Sequence, residues 1–117
     1  MRLVVGISGA SGVEMGYSLL KALRDQPDCE THLVMTEGAK TTWRKESSRP
    51  LEDVAAAADY HYGDGDLTAA IASGTFATAG MAVLPCSMKT LSAVANGYAA
   101  GLLTRAADVC LKEGRKL

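Results

Sequence analysis

The stretch Arg2-Leu3-Val4-Val5-Gly6-Ile7-Ser8-Gly9-Ala10-Ser11-Gly12 decides the architecture of this chain. A short, β-branched apolar run ended by glycine reads as a buried strand over Arg2 to Ser8. Gly9-Ala10-Ser11-Gly12 then reads as a loop. From Val13 to Leu23 the apolar positions Met15, Leu19, Leu20 and Leu23 recur at helical spacing. A strand, a loop of small residues and a helix make the opening half of a parallel crossover unit.

The same alternation continues outward from that stretch. Asp25-Gln26-Pro27-Asp28 breaks the helix, and Thr31 to Met35 reads as a second strand. Thr36 is a suitable cap for a helix running to about Lys45. Ser47-Ser48-Arg49-Pro50 interrupts again, with Pro50 placed to open a helix from Leu51 to Ala58. Tyr60 to Asp66 is turn-rich with room for a very short strand, and Asp66 reads as the cap of a short helix through Ala72. Met81 to Leu84 is a third strand stopped by Pro85. Helices follow over Met88 to Ala95 and Leu102 to Glu113, separated by the Asn96-Gly97 stop signal, and Gly114 ends the last one. The expectation is an α/β fold around a thin parallel sheet of three strands. Arg115-Lys116-Leu117 looks like the approach to another strand. The sheet is therefore expected to be incomplete at the C-terminus, through truncation or for want of a partner that finishes the core.

Length and composition narrow the function classes. The 117 residues suffice for one domain, taken here as 1–117. Twelve Lys and Arg against 13 Asp and Glu leave a formal net charge of −1, which excludes nucleic-acid binding driven by bulk charge. Hydrophobic residues at 48% and charged residues at 21% fit a folded chain. No apolar run approaches the roughly 20 residues of a membrane span, and Met1-Arg2 runs straight into Leu3-Val4-Val5-Gly6, with no cleavage site and a run too short for a signal h-region. Cys29, Cys86 and Cys110 share no metal-ligand spacing and suggest no disulfide framework. A cytoplasmic domain with reduced thiols and no metal is expected. Aromatic residues make up only 5% and there are 12 glycines, which suits close helix–sheet packing and backbone near a ligand.

In parallel sheets ligands gather outside the carboxyl ends of the strands. Those ends are Ser8 to Gly12, Thr36 and Pro85 to Thr90, all rich in small or hydroxyl residues. Gly6-x-x-Gly9-x-x-Gly12 lacks the dinucleotide spacing G-x-G-x-x-G. It offers free amides and the Ser8 and Ser11 hydroxyls to an anion, or else makes a tight turn that binds nothing. Cys86 reads as a packed thiol before a nucleophile, since no histidine lies near it in sequence. His32 and His61 read as core or surface residues. Glu46, near a helix C-terminus, opposes the helix dipole, which hints at a role beyond a solvated surface position. Arg105, Asp108 and Lys112 share one helix face, either as a salt-bridge row or as a phosphate-binding face that a neighbouring subunit encloses.

Five ordered blocks carry a more specific signal. Gly6-Ile7-Ser8-Gly9-Ala10-Ser11-Gly12, Thr31-His32-Leu33-Val34-Met35, Ile71-Ala72-Ser73-Gly74-Thr75-Phe76, Leu84-Pro85-Cys86-Ser87-Met88-Lys89-Thr90-Leu91 and Leu103-Thr104-Arg105-Ala106-Ala107-Asp108-Val109-Cys110-Leu111-Lys112-Glu113 together resemble the UbiX-type flavin prenyltransferases, in particular the B subunits of hydroxyarylic acid decarboxylase systems. The resemblance covers the whole chain. It implies a three-layer, Rossmann or flavodoxin-like fold and a homo-oligomer that binds FMN between subunits. It also implies transfer of a dimethylallyl group from dimethylallyl phosphate to N5 and C6 of reduced FMN. The prenylated FMN so made serves a separate UbiD-like decarboxylase. No metal, nucleic acid or membrane is implied.

Carried over by position, Gly9, Ala10 and Ser11 hold the flavin phosphate region, Thr36 takes a flavin contact, and Ser87, Met88, Lys89 and Thr90 approach from the third strand. Ser11 and Glu46 match catalytic positions concerned with proton handling, and Arg105 and Lys112 match basic positions near the prenyl phosphate. Family members continue past this chain's last residue with further strands and additional Arg, Tyr and basic residues for FMN and the prenyl phosphate. Two other functions fit the same blocks less well. One is an FMN-binding remnant without turnover. The other is an FMN-dependent cysteine decarboxylase, whose third-strand loop reads close to P-A-S-A-N-T where this chain has Pro85-Cys86-Ser87-Met88-Lys89-Thr90, and whose histidine base has no counterpart here.

Overall fold

The computed structural model of the chain describes residues 1–117. Its strands are β1 (Arg2–Ile7), β2 (Glu30–Met35), β3 (Tyr60–Gly63) and β4 (Gly80–Val83), and its helices α1 (Val13–Arg24), α2 (Glu37–Glu46), α3 (Glu52–Ala56), α4 (Met88–Ala95) and α5 (Leu102–Lys112). The strands form one sheet in the order β3-β2-β1-β4, and every pairing is parallel. The chain steps outward from β1 to β3 and then crosses back to place β4 on the other side of β1. The switch in strand order thus lies between β1 and β4, where parallel sheets open a crevice.

Period-2 alternation along the strands builds the layers. Val5, Ile7, Leu33 and Met35 pack on one face with Val13, Leu20, Trp43 and Val54 from the α1–α3 side. Val4, Val34 and Met81 face the other way, against Leu102, Leu103, Ala106, Ala107 and Cys110 of α5. Each fully buried leucine of this set contributes roughly 1.5–3 kcal/mol. Trp43, the largest buried side chain, satisfies its polar edge by donating the indole N–H to the Arg49 carbonyl at 2.9 Å.

Local signals place most boundaries. Thr36 Oγ1 accepts the Ala39 amide and Ser87 Oγ accepts the Thr90 amide, so α2 and α4 both open on hydroxyl caps. Gly12 opens α1 with φ +88°, a left-handed conformation that a side chain resists. Lys116 bridges in parallel to Gly80, its carbonyl accepting the Met81 amide at 2.9 Å, as the expected approach to a further strand.

Two expectations need correction. The sheet has four strands, because Tyr60 to Gly63 pairs with His32 to Met35 despite its turn-rich surroundings. Tyr60 and Tyr62 point to the face that carries His32 and stack on its ring, with centroids 4.9 and 5.9 Å away. Those contacts supply what local composition does not. Asp66 also fails to open a helix running to Ala72, where only a single 3-10 turn (Ala70–Ala72) forms. Its carboxylate instead accepts the Thr68 amide and hydroxyl at 3.1 and 2.6 Å, closing a local turn.

Candidate functional site

The segments following β1, β2 and β4 converge at the carboxyl edge of the sheet, and each leads into a helix N-terminus. Loop Ser8–Gly12 sits between the other two. Toward α2 it makes a backbone contact: a Cβ on Gly9 would lie 2.8 Å from the carbonyl carbon of Gly38, so only glycine permits that approach. Toward β4 it is tied by Ser8, whose hydroxyl donates to the Pro85 carbonyl at 2.9 Å and accepts the Ser87 amide at 2.7 Å. This corrects the reading of Ser8 as an anion ligand, since its hydroxyl is fully buried and already occupied.

Ser11 is different. It is exposed, and its hydroxyl has no partner in the chain. The backbone amides of Gly9 and Ser11 likewise donate to no group of the chain, whereas the Ala10 amide donates to the Ser8 carbonyl. Free amides, a free hydroxyl and the positive ends of α1, α2 and α4 make an electropositive cradle without a single buried cation.

Glu46 reaches this cradle from the far end of α2. Its Oε2 accepts the Gly12 amide at 3.1 Å, so a carboxylate unfavourable at its own helix terminus lies at the favourable N-terminus of α1. The hint drawn from the dipole is explained by this contact across 34 residues. Thr36 and Ser87 hold their own helices as caps, and the Ser87 hydroxyl also donates to Thr90 Oγ1 at 3.1 Å. Thr90 is buried, while Met88 and Lys89 project from the first turn of α4 into solvent. Cys86 lies beside Ser8, and burial pushes its thiol above the ordinary value of 9.0, as a packed, protonated group requires.

The remaining basic candidates lie elsewhere. Arg105, in the first turns of α5, donates through Nε to the Ala72 carbonyl at 3.3 Å. Lys112 is about two turns further along α5, roughly 10 Å, and its Nζ lies 3.5 Å from Glu113. Neither bonds to Ser8–Gly12, Thr36 or Pro85–Thr90, and no salt-bridge row links Arg105, Asp108 and Lys112. The single chain therefore joins Gly9, Ala10, Ser11, Glu46, Thr36 and Ser87–Thr90 at one edge, and Arg105 and Lys112 make no hydrogen bond to that group.

Asp64, unremarked in the sequence, caps α5 from the loop after β3. Its Oδ1 accepts the Leu103 amide at 2.9 Å and its carbonyl accepts the Leu102 amide at 2.7 Å. No local signal marks it, because the helix it caps begins 38 residues later in the chain.

Comparisons with known proteins agree with this geometry. A probable UbiX-like flavin prenyltransferase of Sedimentibacter hydroxybenzoicus is 62% identical over 117 residues, which are the whole of this chain and 62% of that protein. A dodecameric FMN-dependent UbiX-like decarboxylase of Escherichia coli superposes with a TM-score of 0.97 at 56% identity, over 100% of this chain and 63% of that one. AnUbiX (PadA1), solved in complex with FMN and dimethylallyl pyrophosphate, gives a TM-score of 0.94 at 45% identity, over 97% and 60% of the two chains. The chain thus spans about three-fifths of the length of these relatives. The model of the Flavoprotein family matches residues 1–117, and with a parallel sheet whose amide-lined loop tips meet at the strand switch, the chain belongs to that family and is similar within it to the UbiX-like flavin prenyltransferases.

Proposed function

We propose that this chain serves as a flavin prenyltransferase, moving a dimethylallyl group from dimethylallyl phosphate to reduced FMN and releasing prenylated FMN to a UbiD-like aromatic acid decarboxylase. The observation that carries this reading is the cradle itself: three helix N-termini, the unpartnered amides of Gly9 and Ser11 and the unpartnered Ser11 hydroxyl meet at the switch between β1 and β4. A phosphorylated isoalloxazine suits such a site, because its phosphate takes the amides while its ring lies over small side chains.

Reduced FMN, when bound, supplies the nucleophilic N5 and C6 positions. Gly9, Ala10 and Ser11 hold the phosphate region, and the Thr36 hydroxyl and the first turn of α4, from Ser87 to Thr90, approach from either side. Glu46, anchored at the α1 N-terminus beside Ser11, is placed with it to move protons near the ring. Loss of the prenyl phosphate develops negative charge on the leaving oxygen, which Arg105 and Lys112 of an adjacent copy would stabilise.

Assembly into a homo-oligomer accounts for two features. Arg105 and Lys112 are exposed, bond to no residue of their own chain's cradle and are open to a neighbour. The α4 region also leaves Met88 and Tyr98 each 70% exposed and Leu91 50% exposed, a strip of apolar surface suited to burial between copies. The dodecameric relative supports this arrangement. Three free cysteines fit a cytoplasmic site of action, and no helix is long and apolar enough to cross a membrane.

The decisive experiment is anaerobic incubation of the protein with reduced FMN and dimethylallyl phosphate, read by mass spectrometry. A flavin heavier by one prenyl unit is expected. Recovery of unmodified FMN alone, with a full-length relative active in parallel, would overturn the reading.

A further inference from the structure

We propose that Ser8 is a positioning residue: it fixes the Ser87 amide and the α4 N-terminus against the β1 loop and thereby sets the shape of the flavin cradle. This inference rests on the flavin reading above. Its origin is a departure from the β1–β4 ladder. The Leu84 amide donates to the Gly6 carbonyl at 2.9 Å, and regular parallel alternation would next send the Ser8 amide to the Leu84 carbonyl. Ser8 bonds instead to the loop that follows β4. Its own amide donates to the Pro85 carbonyl at 3.1 Å, its hydroxyl donates to the same carbonyl at 2.9 Å, and that hydroxyl accepts the Ser87 amide at 2.7 Å. The Ser8 carbonyl meanwhile accepts the Ala10 amide at 2.9 Å, which bends the β1 loop.

One buried atom thus serves as donor to one side of the β4 loop and acceptor from the other, a pairing that a hydroxyl supplies and a methyl does not. The tie extends onward, because Ser87 caps α4 through Thr90, with its Oγ accepting the Thr90 amide at 3.2 Å and donating to Thr90 Oγ1 at 3.1 Å. Moving the Ser87 backbone therefore moves the first-turn amides of α4, which form one wall of the cradle. Ser8 touches no ligand in this account; it acts through Ser87.

The test compares wild type, Ser8→Ala, Ser8→Thr, Ser87→Ala and the Ser8→Ala/Ser87→Ala pair in the full chain. FMN affinity is measured by flavin fluorescence titration, and Ser87 amide exchange is measured by NMR without flavin. Ser8→Ala is expected to weaken FMN binding about tenfold or more, since it leaves the Ser87 amide without its acceptor and the Pro85 carbonyl with only the Ser8 amide as donor. Its Ser87 amide should exchange faster, and Ser8→Thr, which keeps the hydroxyl, should restore affinity to within about threefold of wild type. The paired variant should bind within about threefold of Ser8→Ala alone, because both changes act on one wall. If Ser8→Ala does not fold, Ser8→Cys replaces it with the same expectations.

A Ser8→Ala chain that binds FMN as wild type does, or effects of the two changes that multiply, would overturn the role. A wild-type chain that binds no FMN overturns the functional reading and this role with it. Exchange then locates the failure: a Ser87 amide protected in wild type and freed in Ser8→Ala leaves the tie standing without a flavin, and equal exchange in both removes the tie itself.

Discussion

The two ends of the sheet are built on opposite terms. At the amino end, Glu30 Oε1 meets Arg2 Nε at 3.1 Å and His32 Nε2 at 2.7 Å, His32 Nδ1 meets the Tyr62 hydroxyl at 2.9 Å, and Arg2 lies 4.4 Å from the centre of the Phe76 ring. Rings and charges there satisfy one another, and His32 is buried among them. At the carboxyl end the side chains are small, the walls are backbone, and amides and a hydroxyl are left over. A group whose bonding is completed within the chain serves the fold, and a group whose bonding is left open at a strand switch is available to a ligand. Stability and binding should therefore respond to different residues at the two ends.

The sharpest separation is expected at Ser11. Replacing an exposed hydroxyl without a partner by alanine should change folding stability by no more than about 0.5 kcal/mol. If Ser11 handles a proton at the flavin, prenylation should slow by about two to four orders of magnitude. Single-turnover mass spectrometry and urea unfolding of Ser11→Ala read the two quantities, and a variant that unfolds early but turns over normally would break the contrast.

The mirror experiment is His32→Ala. It removes a buried ring stacked between two tyrosines and leaves the Tyr62 hydroxyl and the Glu30 carboxylate short of a partner. A loss of about 2–4 kcal/mol is expected in urea unfolding, with FMN affinity within about threefold of wild type. A large loss of affinity with little loss of stability would place function at the amino end as well.

A smaller effect is expected from Asp64→Ala, at the carboxyl edge but away from the cradle. The α5 N-terminus would lose its side-chain acceptor for the Leu103 amide, a change worth about 1 kcal/mol in unfolding and nothing in FMN affinity. It tests whether the carboxyl end also contains residues that serve only the fold.

What the sequence discloses follows the range of the interactions. Thr36, Ser87, Gly97 and Gly114 act on their own helix ends, so caps and stops lie within a few residues of their signals. The apolar face of α5 is equally legible, because Leu103, Ala106, Ala107 and Cys110 follow the helical period and are all buried. The fourth strand is not, since Tyr60 and Tyr62 gain their place from stacking on His32, about 30 residues earlier. Nor is the true position of Glu46, which depends on α2 bringing its last residue back to Gly12. Ser8 shows the limit most clearly. In the sequence it is one more hydroxyl in a glycine loop, and only the pairing of β1 with β4 turns it into a tie to Pro85 and Ser87. For Ser11 the sequence indicates the loop, and the fold adds that its hydroxyl is free. For Arg105 and Lys112 the shared helix face is legible, but the distance of Lys112 from the cradle depends on how α5 crosses the sheet.

The smallest effect concerns pH, and its sign follows from Glu30. Hydrogen bonding to His32, followed by Arg2, holds the Glu30 carboxyl below its ordinary value of 4.5, outweighing the opposing effect of burial. A depressed carboxyl binds protons less readily folded than unfolded, so its stabilisation is fully present above the unfolded value near 4.5 and fades as pH falls through the lower folded value. Above that window Glu30 adds no slope to stability, and within it stability should fall on acidification. Glu30→Gln removes the titrating group, so urea midpoints measured from pH 6 down to about 3 should decline less steeply in the variant than in wild type. Because the carboxylate is at the sheet's amino end, FMN affinity at neutral pH should stay the same in Glu30→Gln. Parallel acid slopes in the two proteins would mean that the Glu30–His32 pair contributes nothing to folding. The amino end would then owe its stability to its rings, the His32–Tyr62 hydrogen bond and the Arg2–Phe76 contact.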